Sequence, residues 1–305
     1  MRFGGHETFT IREGWLHKGL RLLVEEPARL VDQHAADWLG VGQNMAKSIR
    51  HWLAATGLAQ VASDNQARKQ LILEPTPLGQ LIWRHDPHFN EPGTAWALHT
   101  ELIHHPQHAA AWSWFFNSFG GDRFDRAVCR ENLTRHLQLS RQRLPSPATL
   151  DRDLQCLLST YARTIPALND DPEEGHDCPL RDLGLLSHFR TSGYYQLHEG
   201  PKAIPPELFA YSLAHAFSDA TTGDGTVDIS VQDAARQPGG PGRVFVLNSE
   251  SLFDVASRAE SQCTPGDIEI AGLAGNRVIR IKRRRPLQWL ENYYVGIEQK
   301  ERYVA

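Results

Sequence analysis

The chain has 305 residues, 41% of them apolar and eight of them Trp, enough to fill more than one core. Asp and Glu (36) outnumber Lys and Arg (32), and the net charge of −4 excludes an indiscriminate polyanion binder. No apolar run reaches the length of a membrane span, no apolar leader core opens the chain, and its four cysteines form no CxxC pair, so a cytoplasmic protein with no membrane partner, no disulfide framework and no structural zinc is expected.

An N-terminal arm, Met1 to Glu25, begins Phe3-Gly4-Gly5-His6-Glu7-Thr8-Phe9 and continues with Ile11, Trp15, Leu16, Gly19, Leu20 and Leu23 at helical spacing. From Ala35 to Trp83 the pattern is that of a winged helix-turn-helix. A short helix (Ala35, Ala36, Trp38, Leu39) stops at Gly40, and Gly40-Val41-Gly42-Gln43 makes a tight turn. Asn44 is the expected N-cap of a second helix, Met45 to Thr56, with Met45, Ile49, Trp52 and Leu53 as its apolar stripe. Asn44, Lys47, Ser48, Arg50 and His51 fall largely off that stripe and supply groups for phosphates or base edges. Gly57 closes the helix, strands follow at Leu58–Ala62 and Lys69–Leu73, and Arg68 and Lys69 stand beside the turn, where a wing meets a DNA backbone. A small αβ unit used for protein docking is the competing reading.

Pro87 to Pro92 marks a break. Helices are then expected around Thr94–His105 and Gln107–Phe119, the second dense in core aromatics. Asp122–Leu139 and a helix capped near Ser146 and running through Thr160 form a second possible helix-turn-helix, with Arg152 pointing outward; a helical connector is the alternative. Residues 121–165 hold eight Lys/Arg against five Asp/Glu, whereas residues 166–187 hold one against six, and the latter read as an acidic linker or loop. Beyond it, helices at Leu208–Phe217, Asp228–Ala235 (capped by Asp228 or Ser230) and Ser249–Ala259 (capped by Ser249) precede strands at Asp267–Ile270 and Arg277–Lys282, again in winged-helix order. Arg277, Lys282, Arg283, Arg284 and Arg285 would make a basic patch on that hairpin, and Arg243, in a glycine-rich approach, can reach a phosphate.

The expected fold class is therefore α+β, predominantly helical, with two or three winged helix-turn-helix modules. The expected domains are the arm plus winged helix (1–86), a helical middle region with a possible second helix-turn-helix (87–165), an acidic linker or loop (166–203) and a winged-helix-like C-terminal domain (204–305). There is no phosphate-cradling GxxxxGK[ST] loop, dinucleotide fingerprint or HExxH motif. His104 and His108 have metal-compatible spacing but no adjacent third ligand, and Pro106 lies between them. The strongest catalytic candidates lie in the arm: His6 and Glu7 as base and metal ligand (Glu7 for a divalent Mg or Mn), with Arg12 and Lys18 countering charge on a phosphate. The alternative is that His6 and Glu7 hydrogen-bond the arm to the body.

Two segments taken together carry a resemblance. Phe3-x-Gly5-His6-Glu7-Thr8-Phe9 with Arg12 and Gly14-Trp15, and Leu39-Gly40-Val41-Gly42-x-Asn44-Met45-x-x-Ser48-Ile49-Arg50-x-Trp52, are similar to the SspB-like family, a bacterial family described as a domain of unknown function. So are Asp177-Cys178-Pro179-Leu180, Gly200-Pro201-Lys202 and Pro241-Gly242-Arg243-Val244-Phe245. The resemblance covers almost the whole chain in order. It implies binding of double-stranded DNA, and nicking of one strand, in a phage-defence system that installs phosphorothioate linkages. It also implies sulfur-transfer (PAPS-reductase-like) and ATPase partners. A non-catalytic DNA-binding adaptor or regulator that recruits the sulfur-transfer enzymes is the alternative, and no cofactor is then needed. The resemblance assigns no cutting residues.

Overall fold

The computed structural model describes residues 1–62, 72–165, 178–221, 223–273 and 276–304. The chain divides into two compact units, Met1–Phe115 with Phe119–Leu197, and Phe116–Ser118 with His198–Ala305. Residues 1–86 and 87–165 thus belong almost entirely to one unit. The architecture is mixed α+β with helix predominating. No helix among the described residues is long and apolar enough to cross a membrane.

In the first unit an irregular arm leads into α1 (Trp15–Glu25), α2 (Pro27–Val31), α3 (Ala35–Leu39) and α4 (Gln43–Ala55). Helix α1 buries Trp15, Leu16, Gly19, Leu20 and Leu23, the spacing the arm's apolar pattern predicts. Gly40 ends α3 in the left-handed region (φ 64), where a side chain would be strained. The cap of α4 differs from expectation: Gly42, not Asn44, is the N-cap, and the helix starts one residue before Asn44. Strands β1 (Ala59–Val61) and β2 (Leu73–Pro75) then pair antiparallel, Ala59 opposite Pro75. The segment expected to carry Arg68 and Lys69 lies outside the described residues. Helix α5 (Pro77–His85) begins where Thr76 accepts a bond from the Gly79 amide, with Pro at its first position.

Helix α6 (Pro92–His104) is buried along most of its length, and α7 (Ala110–Ser118) carries the aromatic cluster. Trp112, Trp114, Phe115 and Phe116 are all buried, which fits the core reading of these rings. Strand β3 (Arg123–Phe124) precedes α8 (Arg126–Leu139), so the chain expected to be helical from Asp122 is extended for two residues before Asp125 caps the helix. Ser146 caps α9 (Pro147–Tyr161), which buries Leu150, Leu154, Leu157, Leu158 and Tyr161 as its pattern predicts. Strands β4 (Ala162–Ile165), β5 (Leu186–Phe189) and β6 (Tyr194–Leu197) complete a four-stranded sheet in the order β3-β6-β5-β4, with β4 and β5 parallel. Residues 178–197 are therefore not linker. After α9 the chain enters this sheet rather than a two-stranded wing.

The second unit is built around α10 (Pro206–Ala216), buried from Leu208 to Ala214. Then follow α11 (Ser218–Thr221), β7 (Thr226–Ser230), α12 (Val231–Arg236), α13 (Pro241–Val244), α14 (Ser249–Gln262), β8 (Ile268–Leu273), β9 (Asn276–Lys282) and α15 (Pro286–Val304). Helices α14 and α15 both pack on α10, and β9 is the central strand of an antiparallel sheet ordered β7-β9-β8. Of the two caps expected for the helix over Asp228–Ala235, Ser230 is the one that caps α12, while Asp228 lies in β7, opposite Arg280. Asn248, not Ser249, caps α14 by accepting from the Ser251 amide. Helix α15 was not anticipated, although Trp289, Leu290, Tyr293 and Tyr294 give it a clear buried stripe.

Candidate nucleic-acid interface

The arm is seated on α4 and α9 by a hydrogen-bond set centred on His6, which is buried. The Thr8 amide donates to His6 Nδ1 (3.1 Å), so Nδ1 is unprotonated and the proton of the neutral ring sits on Nε2. Nε2 then donates to Asp153 Oδ1 (3.1 Å), and the Gly4 amide donates to the same oxygen (2.9 Å). Ser48 Oγ donates to the His6 carbonyl (3.0 Å), and Trp52 Nε1 donates to the Phe9 carbonyl (3.1 Å). The His6 ring lies over Trp52 (6.2 Å between centroids) and meets Trp112 edge-on (5.9 Å). Gly5 is needed because a Cβ there would run into the His51 ring. Glu7 and Thr8 both have positive φ (50° and 70°), which carries the Glu7 side chain out to solvent.

His6 and Glu7 therefore diverge. Arg12 is half-exposed and lies against Phe9 and Trp15 (5.5 and 5.4 Å to the ring centroids), while Lys18 is exposed on α1. Among the described residues no group of three or more His, Cys, Asp or Glu side chains could hold a metal ion. With both ring nitrogens engaged, His6 does not fit as a metal ligand in this arrangement. Glu7 remains as a single exposed carboxylate.

On α4 the five polar candidates separate. Asn44 and Lys47 are exposed, and Lys47 Nζ donates to Asn44 Oδ1 (3.4 Å). Arg50 is half-exposed and donates to the Leu30 carbonyl (3.3 Å). Ser48 and His51 are buried, contrary to the expectation that they face a nucleic acid. The reason is that the arm covers a second face of α4, so this helix has two buried sides. Burial pushes the His51 ring down to about 3, with His6, Arg2 and His108 adding to the shift, and neither of its nitrogens has a partner among the described residues.

Arg152 is exposed on α9, beside the buried Asp153, and donates to the Ala148 carbonyl (3.1 Å). Sequence reasoning missed Asp153. Its signal was an acid in register with Leu150, Leu154 and Leu157 on the buried side of α9.

In the second unit, Arg284 differs from its expected role. It makes two bonds to Asp267 (2.6 and 2.8 Å) and lies over Trp289, because the buried Asp267 carboxylate requires a partner. Lys282 is 3.8 Å from the same carboxylate, and Arg277 lies over Phe253 (4.4 Å). Arg285 is exposed, while Arg283 and Arg243 are half-exposed, each with a buried Nε lacking a partner among the described residues. The segments Gly200-Pro201-Lys202 and Pro241 to Phe245, distant in sequence, meet at Val246. Lys202 Nζ donates to the carbonyls of His198 (2.6 Å), Gly200 (3.2 Å) and Val246 (3.4 Å), and the Gly200 amide also donates to Val246 (3.1 Å). Burial lowers the Lys202 ammonium to about 8, with Glu199 opposing.

The family described as "Protein of unknown function (DUF4007)" matches residues 3–294. No curated protein matches the chain. The fold is similar to the SspB crystal structure, at 26% identity and a TM-score of 0.82, covering 97% of this chain and 87% of that one. It is equally similar to the magnesium ion-bound SspB crystal structure, at 26% identity, a TM-score of 0.81 and the same coverage.

Proposed function

This chain belongs to the DUF4007 family, and we propose that it is the double-stranded-DNA-binding component of a DNA phosphorothioation system, nicking one strand before sulfur is incorporated. The observation that carries the reading is the likeness to SspB along 97% of the chain, through both units. In this reading α3, the Gly40–Gly42 turn, α4 and the β1–β2 hairpin act as a winged helix. The exposed Asn44 and Lys47, together with Arg50, then meet the groove, and Arg68 and Lys69 the backbone. Arg152 and the outward residues of the β9 region, Arg277, Lys282, Arg283 and Arg285, extend the contact along the phosphates, with Arg243 as a further donor. For nicking, the arm offers the exposed Glu7 as its acid and Arg12 and Lys18 as its cations, while His6 holds the arm in place.

One observation favours a second reading, a non-catalytic adaptor that recruits the PAPS-reductase-like and ATPase components. Both nitrogens of His6 are engaged and no multidentate metal group gathers among the described residues. Incubation with supercoiled plasmid, with Mg²⁺, with Mn²⁺ and with chelator, separates the two. Relaxed circles that appear only with the cation, and that Glu7→Gln abolishes with DNA affinity unchanged, support the nickase. Gel shifts with no relaxation under any condition support the adaptor. Neither shift nor relaxation would reject both.

A further inference from the structure

Away from the arm, the first unit carries an open cleft of about 410 Å³ between the first turns of α8 and the β5–β6 hairpin. That volume lies in the range of small-ligand sites. One wall is aromatic. Phe124, Tyr195 and His188 are successive cross-strand partners on β3, β6 and β5, and so lie on one sheet face. Tyr195 lies parallel to the buried Phe124 (5.9 Å, 17°), and His188 lies parallel to Tyr195 (4.5 Å, 23°). The ladder thus runs from a core ring to two partly exposed rings. Burial and the nearby Arg190 lower the His188 ring from its ordinary value, so at neutral pH this wall is uncharged.

The facing wall is polar. Arg126 and Arg130 are one turn apart on α8 and both exposed. Arg130 is paired with Asp151 (3.0 and 3.2 Å), whereas Arg126 is bound to the neutral amide of Gln155. A further carboxylate of the lining, Asp125, accepts from the Val128 amide. Flat neutral rings on one side and, on the other, a guanidinium held in no ion pair among the described residues match a base and its phosphate. The shallow opening does not match a helix-sized groove.

We propose that this cleft binds one unstacked nucleotide of a DNA strand, its base on the Tyr195–His188 wall and its phosphate at Arg126. Single-strand-binding proteins use this combination of stacking platform and backbone cation. The site is separate from α4. It deepens the proposed function because a strand to be modified must be locally displaced, and on that clause alone it rests on the reading above.

The test measures anisotropy of a short labelled single-stranded oligonucleotide against the full chain. Parallel arms use an oligomer of abasic residues, a duplex and free dAMP. His188→Ala and Arg126→Gln should each weaken single-strand binding about tenfold, within the range that one stacked base contributes. Arg126→Gln, at an exposed position, keeps the test available should His188→Ala fail to fold by thermal melting. The abasic oligomer should bind as weakly as the variants, and duplex binding should not change. Several results would overturn the assignment: unaltered single-strand binding in the variants, no single-strand binding by the wild type, or equal affinity for the abasic oligomer. Equal affinity for free dAMP would leave a nucleotide site but remove the strand. Loss of duplex binding in the wild type, with the single-strand result intact, would reject the α4 reading and keep this one.

Discussion

His6 and Asp153 show how one buried acceptor can hold a segment that has no regular structure. Both the Gly4 amide and His6 Nε2 donate to the same oxygen of Asp153, and the other His6 nitrogen is closed by the Thr8 amide. Removing that oxygen strands the buried His6 Nε2 and the half-buried Gly4 amide, so Asp153→Ala should cost about 3 kcal/mol of unfolding free energy. Asp153→Asn retains an Oδ1 that can accept from both donors and should cost about 1 kcal/mol. Equal losses in urea denaturation would mean that the carboxylate charge, rather than the shared acceptor, holds the arm. The neighbouring His51 gives the arm a pH dependence. Its pKa is lowered from 6.5 to about 3 in the folded chain, so the folded state binds fewer protons than the unfolded one below pH 6.5. Stability is therefore fully present above pH 6.5 and falls as the pH drops toward 3, by at most about 1.4 kcal/mol per pH unit from this one residue. His51→Asn should flatten the pH profile of the denaturation midpoint between pH 6.5 and 4. A profile parallel to that of the wild type would assign the acid sensitivity to other groups, of which His108, also lowered by burial, is the next to test.

At the scale of elements, α4 serves two masters: Ser48, His51 and Trp52 face the arm, Ile49 and Leu53 pack on α1, and of the polar candidates Asn44, Lys47 and in part Arg50 face solvent. On the proposed reading, Lys47→Ala should weaken duplex binding across sequences and reduce the salt slope by about one unit. Ser48→Ala should instead lower stability and leave the slope alone. A change of slope in Ser48→Ala would place that hydroxyl at the DNA and contradict its burial. Much of this was legible in the residues. The α3–Gly40–α4 order, the cap at Ser146, and the apolar faces of α1 and α9 all follow from local spacing and capping chemistry. The four-stranded sheet was not legible. Its strands are two to four residues long, and β4 pairs in parallel with β5 across the 166–177 segment, so neither alternation nor a turn signal announces it. The double burial of α4 was equally hidden, because an irregular arm contributes no periodicity of its own. Asp153 could have been picked out as an acid in register with leucines, but its partner lies 147 residues away.

At the scale of the whole molecule, a chain of net charge −4 can hold DNA only through local basic faces, and the proposed contacts draw on residues of both units. Removing the C-terminal hairpin would be a poor test of this. Strand β9 is central to its sheet and α15 packs on α10, so truncation before Gly266 takes away part of the second unit's core. Side-chain substitutions avoid that cost. Arg284 should be left in place, since Arg284→Ala would uncover the buried Asp267 carboxylate and destabilise the unit whether or not DNA is present. Arg277, Lys282 and Arg285 are exposed and can be changed together to Ala. If both units contact one duplex, this triple variant and Lys47→Ala should each lower log K, and the combined variant should lose the sum of the two. Residues in distant, unconnected contacts behave additively to within about 0.5 kcal/mol. Titration of a labelled duplex at several salt concentrations reads both the affinity and, from the counterions released, the number of phosphates contacted. Full affinity and an unchanged slope in the triple variant would confine DNA to the first unit. The β9 patch would then be a surface whose charges serve the fold and its ion pairs, and the second unit would be left for the protein partners of the system.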